Sequence, residues 1–310
     1  MIIQYSLLFF LVVDLASGRS ILAANRLVLA QKSGTNQPPL FGGDIVLTPL
    51  QKKVIRRQDL LQSNPSAHLR AIAKEGKFFK RWNNNTAVYE ITSAFSDDEK
   101  KIIRDALSDL SRKTCFKIYE RSEKPDAVDY VKIDKNGGCY SAVGRVGGEQ
   151  PISLGLGCVH DHIVKHEFMH SLGIGHEHQR PDRDYFLRIM KENVWSGFEY
   201  AFNRYEWNDF DTGNIAYSYE SIMHYEDTAF SKNGQKTMKR KYGDVPINRN
   251  EALNKSDFQK LAFLGNCPEY KDGPPAAQKK QPQGGSSGKQ KKSRKRNKSR
   301  GNRRRGNRRG

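Results

Sequence analysis

The chain has 310 residues, 36% of them hydrophobic and 28% charged, with a formal net charge of +19. That length is enough to bury the core of one large domain or two modest ones. The charge is uneven: residues 279–310 hold 15 Lys or Arg and no Asp or Glu, which leaves +4 for the rest of the chain. This excludes a uniformly basic protein and describes an ordinary globular body with a basic tail. Such a tail calls for a polyanionic partner, whether glycosaminoglycan, anionic membrane surface or nucleic acid.

Near the N-terminus, Leu7 to Val13 is wholly apolar, and Ala16 and Gly18 follow as a small-x-small site. This pattern reads as a signal peptide over 1–18. It is too short to span a bilayer, and no later run reaches the ~18 apolar residues that would. A secreted, extracellular protein is therefore expected. Export and the lack of aromatic residues in the tail both argue against nucleic acid as the partner.

Residues 19–70 are polar, carry scattered prolines and show no amphipathic period, so they read as a pro-segment rather than a domain. They contain Phe41-Gly42-Gly43-Asp44-Ile45 and end at Arg70. A globular pattern runs over 71–268. Ala87 to Thr92 reads as a strand. Ser96-Asp97-Asp98-Glu99 is a capping box opening a helix whose apolar face is Ile102, Ile103, Ala106, Leu107 and Leu110. Strand-like runs follow at 129–133 and 151–154, then a helix over about 160–172. A second capping box, Ser256-Asp257-Phe258-Gln259, opens a short helix before Cys267. Residues 269–310 shift to Lys, Arg, Gly, Gln, Pro and Ser and read as a disordered basic tail. The four cysteines, Cys115, Cys139, Cys158 and Cys267, favour two disulfides in an exported chain, with three pairings open. Sequons for glycosylation stand at Asn84, Asn254 and Asn297.

The chemistry concentrates in His166-Glu167-Phe168-Met169-His170-Ser171-Leu172-Gly173-Ile174-Gly175-His176. On a helix, positions i and i+4 share a face, so His166 and His170 can present both imidazoles to one metal. Glu167 is displaced to the side, where it can meet a metal-bound water without ligating the metal. Gly173 permits a sharp turn that returns His176 as a third ligand. Three neutral nitrogens suit one Zn²⁺ and leave a position for water. Peptide-bond hydrolysis by a zinc-bound water, with Glu167 as general base and then acid, is the expected reaction.

The helix followed by a Met-turn candidate, Ser221-Ile222-Met223-His224-Tyr225, identifies a metzincin. The run His176-Glu177-His178-Gln179-Arg180-Pro181-Asp182-Arg183-Asp184 and the segment Gly138 to Arg145 resemble the astacin family of zinc endopeptidases. The resemblance implies an α+β catalytic domain with two lobes: a twisted, mostly five-stranded sheet with the active-site helix, and an irregular lower lobe. An extended protein or peptide substrate would lie in the cleft beside an edge strand. Met223 would floor the zinc site. Tyr225 would be a further zinc ligand in the resting enzyme and a catalytic donor to the oxyanion. Asp44 would ligate zinc in the zymogen. A trypsin-like protease would cut at Arg70-Ala71, with Lys74, Lys80 and Arg81 as alternatives, and the new ammonium would anchor near Glu177. The family pattern pairs Cys115 with Cys267 and Cys139 with Cys158. Gly175 departs from it, since the family usually has a bulky residue there, so this turn or the adjoining pocket should differ. A competing reading is a matrix-binding protein that has lost catalysis and works through its tail. Its expected mark, a substituted Glu167, is missing.

Overall fold

A computed structural model describes residues 43–48, 51, 72–73, 80–205 and 210–275. The signal segment 1–18, the Arg70-Ala71 pair and the tail beyond 275 lie outside the described residues.

The first long helix, α1 (Asp97–Lys113), begins where Ser96 Oγ accepts from Glu99 N–H, while Glu99 Oε2 accepts from Ser96 N–H at 2.8 Å. Ile103, Ala106, Leu107 and Leu110 are fully buried, the i, i+3, i+4, i+7 stripe of a helix with one apolar face. Ile102, counted in that face from the sequence, lies off the stripe and is 39% exposed. α2 (Asp161–Leu172) is buried nearly all round, as a helix crossing the middle of a domain must be. Lys165 bolts α2 to α1, its Nζ 2.7 Å from Asp109 and 2.8 Å from Asp161.

Against these helices lies a sheet built from β1 (Ile45–Val46), β3 (Thr86–Ile91), β4 (Lys117–Glu120), β5 (Tyr130–Asp134), β6 (Cys139–Ala142) and β7 (Glu149–Leu154). Its order is β1-β6-β7-β5-β3-β4, with β6 antiparallel to β7 and the other pairings parallel. Among the described residues the sheet has six strands rather than five. The sixth comes from the upstream segment, because β6 would otherwise be an edge with unpaired N–H and C=O groups. Ile45 and Val46 pair with Ser141 and Ala142.

Beyond α2 the chain is irregular. Short two-stranded pairings join β8 (Leu187–Ile189) to β10 (Met238–Arg240) and β2 (Ile72–Ala73) to β9 (Phe210–Asp211). This half has its own core, including Phe198, Phe202, Phe230 and Met238. The last helix, α3 (Lys255–Leu264), is capped by Asn254 and not by Ser256: Asn254 Oδ1 accepts from Asp257 N–H, and Asp257 closes the box. Ser256 instead donates its hydroxyl to Asn254 Oδ1. The Asn254 amide also donates to Ser218 Oγ at 2.8 Å, so both ends of this sequon side chain are in use, whereas Asn84 is exposed. Ordered chain continues past 268 through a 3-10 turn at Pro268–Tyr270 and a Lys255–Asp272 ion pair.

Disulfides join Cys115 to Cys267 and Cys139 to Cys158. The first closes 152 residues and ties the start of β4 to the end of α3. Replacing both Cys115 and Cys267 by Ser is expected to cost about 2–5 kcal/mol of stability. Denaturant unfolding would measure it, and a loss below about 1 kcal/mol would contradict this.

Candidate metal centre

α2 carries His166 and His170 one turn apart, their ring centroids 4.7 Å from each other. The helix stops at Gly173, whose φ of 123° is open to glycine and disfavoured for other residues. Its N–H closes on Met169 and His170 carbonyls, and the chain then turns back to bring in His176. Each imidazole is oriented from behind. His166 Nδ1 meets Ile222 O at 2.8 Å, His170 Nδ1 meets Ile174 O at 2.7 Å, and His176 Nδ1 meets Gln179 Oε1 at 2.9 Å. All three partners are acceptors, so each Nδ1 carries the proton and each Nε2 offers its lone pair inward. Burial, with His176 nearby, holds His170 well below the usual histidine pKa and so neutral.

Asp44 enters this cluster from the upstream segment. Its carboxylate lies 3.4 Å from His166 Nε2, 3.6 Å from His170 Nε2 and 3.0 Å from His176 Nε2. Burial would raise its pKa, but the surrounding imidazoles, His176 foremost, outweigh burial and hold it well below the ordinary range. Tyr225 donates its hydroxyl to Asp44 Oδ2 at 3.2 Å and stacks on His178, centroids 4.2 Å apart. Gly43 makes the approach possible. Its φ is 103°, and a Cβ there would stand 2.7 Å from both the Tyr225 hydroxyl and the Phe230 ring.

These residues fit a zinc ion. The four donor atoms of Asp44, His166, His170 and His176 all lie within 4.8 Å of one another. Three imidazole lone pairs turned on one point repel unless a cation stands among them. Asp44 Oδ1 is buried and accepts no hydrogen bond, a cost that a metal bond would remove. Nitrogen and carboxylate donors in this number are those zinc takes. Glu167 is beside the cluster and outside the ligand set, 2% exposed, with its Oε2 buried and unbonded. Burial first, and then the Asp44 charge, push its pKa well above the ordinary carboxylate value. A cleft opens here, lined by His162, Cys139, Glu167, Tyr225 and Arg249 among others.

Behind the histidines runs a buried ionic chain whose pairings the sequence pattern does not foretell. Glu177, 1% exposed, accepts from Ser218 N–H at 2.8 Å and Arg180 Nη1 at 3.2 Å, and its other oxygen is 2.7 Å from Lys260 Nζ. Arg180 in turn grips Asp182 with two bonds of 2.8 Å. The Glu177 carboxylate, expected to receive the Ala71 ammonium, thus already has two cations from its own domain. Lys260 also reaches Ser221 Oγ at 3.2 Å, and Asp257 holds Ser221 Oγ and the Ile222 N–H. Glu177 N–H donates to Met223 O at 3.0 Å, so the Met-turn and the third histidine's segment are locked together. Met223 is fully buried in the main core. A signal for Lys260 does exist in the sequence: buried positions 257, 260, 261 and 264 follow a helical stripe, and a lysine on it must have a buried partner.

Comparison with known proteins agrees with this geometry. Residues 74–264 match the Astacin peptidase family. Zinc metalloproteinase nas-13 of Caenorhabditis elegans is 34% identical over 240 residues, 77% of this chain and 52% of the relative. Zinc metalloproteinase nas-12 of the same organism is 36% identical over 231 residues, 73% of this chain and 58% of the relative. The chain therefore spans a little over half the length of these relatives. Among solved structures, High choriolytic enzyme 1, a hatching enzyme zinc-protease from medaka (Oryzias latipes), superposes with a TM-score of 0.58. It is 33% identical and covers 63% of this chain and 99% of its own. With three inward-facing imidazoles, an adjacent buried glutamate and a family match across the whole catalytic region, the chain belongs to the astacin family of zinc metalloproteases.

Proposed function

We propose that the chain is the latent precursor of a secreted zinc endopeptidase, silenced by Asp44 and released by a cut near Arg70. The observation that carries this reading is the position of Asp44. It arrives from 132 residues before His176 and fills the space in front of all three imidazoles, where a water or substrate carbonyl would have to enter. His166, His170 and His176 would hold the zinc. When bound, zinc supplies an electrophile for the scissile carbonyl and lowers the pKa of an attacking water.

The remaining steps belong to side chains. Glu167, buried beside the ligands with its Oε2 unbonded, is placed to take the water's proton on its carboxylate and pass it to the leaving amine. With Asp44 gone, the Tyr225 phenol O–H is placed to donate to the developing oxyanion. Burial keeps that phenol protonated, with its pKa well above the ordinary value. A trypsin-like protease would make the cut at Arg70-Ala71. The basic tail would hold the enzyme near extracellular polyanions such as glycosaminoglycan.

Asp44→Ala provides the test. The uncut variant is expected to hydrolyse a quenched fluorescent peptide library, while uncut wild type does not. Wild type should gain activity on cutting, and a zinc chelator should abolish it in both. A cut, zinc-loaded wild-type chain with no hydrolysis would overturn the peptidase reading in favour of a tethered binding protein.

A further inference from the structure

Asp44 reaches the histidines because the residues after it are seated in an apolar socket. Ile45 and Leu47 are alternate residues of an extended segment, so their side chains share one face. Both are buried, in one cluster with Val143, Tyr205 and Phe210. The Tyr205 and Phe210 rings stack with centroids 3.9 Å apart and planes 12° apart. They lie directly over Gly175, where a Cβ would stand 2.6 Å from Tyr205 and 2.8 Å from Phe210. Gly175 is therefore what lets a two-ring platform sit this close to the third histidine. The platform is also bonded to the metal centre: the Tyr205 hydroxyl oxygen accepts from His176 N–H at 2.9 Å, and Tyr205 N–H donates to Gln179 O at 2.6 Å.

The backbone beside the socket is the β6 edge. Ser141 N–H donates to Asp44 O at 2.8 Å, and β1 completes the pairing. Once the upstream segment is gone, these groups need a new partner, and an extended peptide can add as a strand. Main-chain bonds of that kind hold any sequence, so selection falls to the pockets under alternate side chains.

We propose that Val143, Tyr205 and Phe210 form an apolar substrate subsite. It would take large aliphatic side chains at two alternate positions of an extended peptide, on the side of the scissile bond that lies over β6. The subsite rests on the peptidase reading above for its role, but not for its existence.

Two measurements test it separately. The first uses the cut chain carrying Glu167→Gln, with binding read by calorimetry. A synthetic peptide matching Gly43 to Thr48 is expected to bind at least about 30-fold more tightly than the same peptide with Ile45→Ser and Leu47→Ser, given the usual transfer preference of two aliphatic side chains. Phe210→Ala should shrink that ratio to below about fivefold, and Phe210→Asp should favour a peptide with lysine at the two positions, with thermal unfolding confirming that each variant is folded. Equal binding of the two peptides to the wild-type socket overturns the subsite.

The second is cleavage-site profiling of the active chain. Enrichment of Ile, Leu, Val or Met at two alternate positions on one side of the cut is the expected result. Cleavage without that preference overturns the subsite and leaves the peptidase reading standing. Peptide discrimination with no cleavage would do the reverse.

Discussion

Glu167→Gln is expected to lower kcat of the activated chain by about 10²–10⁴-fold, the usual contribution of a positioned general acid–base. The substitution keeps size and shape, so it removes proton transfer and little else. The amide cannot take a proton from water or return one to the leaving amine. The fold should be little affected: Glu167 is 2% exposed and its buried Oε2 has no hydrogen-bond partner to lose, so the latent variant should melt close to wild type. Zinc content should stay at one per chain, since Glu167 is outside the ligand set. Kinetics, thermal unfolding and metal analysis on one preparation decide the matter. Residual kcat within tenfold of wild type would remove Glu167 from the proposed mechanism. Loss of zinc would show that its role is structural.

How far the sequence could be read depended on how local the cause was. The α1 cap and stripe, the turn at Gly173 and the i, i+4 histidines follow from interactions within a few residues, and they stand in the structure near where the pattern placed them. The astacin membership was legible for the same reason, in a contiguous run from His166 to Asp184. Ile102 was misread because an apolar residue beside a stripe looks like part of it until the helix is seated. The cap at Asn254 was missed because Ser256 with Gln259 imitates the same spacing. Longer-range features were legible only where the family resemblance supplied them, as for Asp44 and the two disulfides; the others were not. The sixth strand needs β6 to be an edge, which is a property of the sheet order and not of Ile45 or Val46. The pairing of Tyr205 and Phe210 over Gly175 joins three separate stretches. The partners of Glu177 come from residues 180, 218 and 260, and nothing in the residues next to it names them.

Those partners set the second large effect. Lys260→Met is expected to destabilise the chain by about 3–5 kcal/mol, the cost of removing one member of a buried ion pair. For a domain of this size that lowers Tm by roughly 6–20 °C. Lys260 is 1% exposed, and its ammonium serves Glu177 Oε2 at 2.7 Å, Ser221 Oγ at 3.2 Å and Asp257 Oδ1 at 3.6 Å. Methionine fills much of the volume but leaves two buried carboxylates short of a cation. The effect should also reach the metal. Glu177 directly follows His176, and its N–H holds Met223 O, so loosening this joint frees the third ligand and the Met-turn together. Zinc affinity in a competition assay is therefore expected to fall along with Tm. The double variant Glu177→Gln with Lys260→Met separates charge from packing. Removing Glu177's charge as well takes away one of the two carboxylates left short, so part of the loss should return. If the single variant melts within about 2 °C of wild type, the ionic chain is not what holds the third histidine's segment to α3. If the double variant is as unstable as the single one, the geometry of the lysine, and not its charge balance, is what the fold requires.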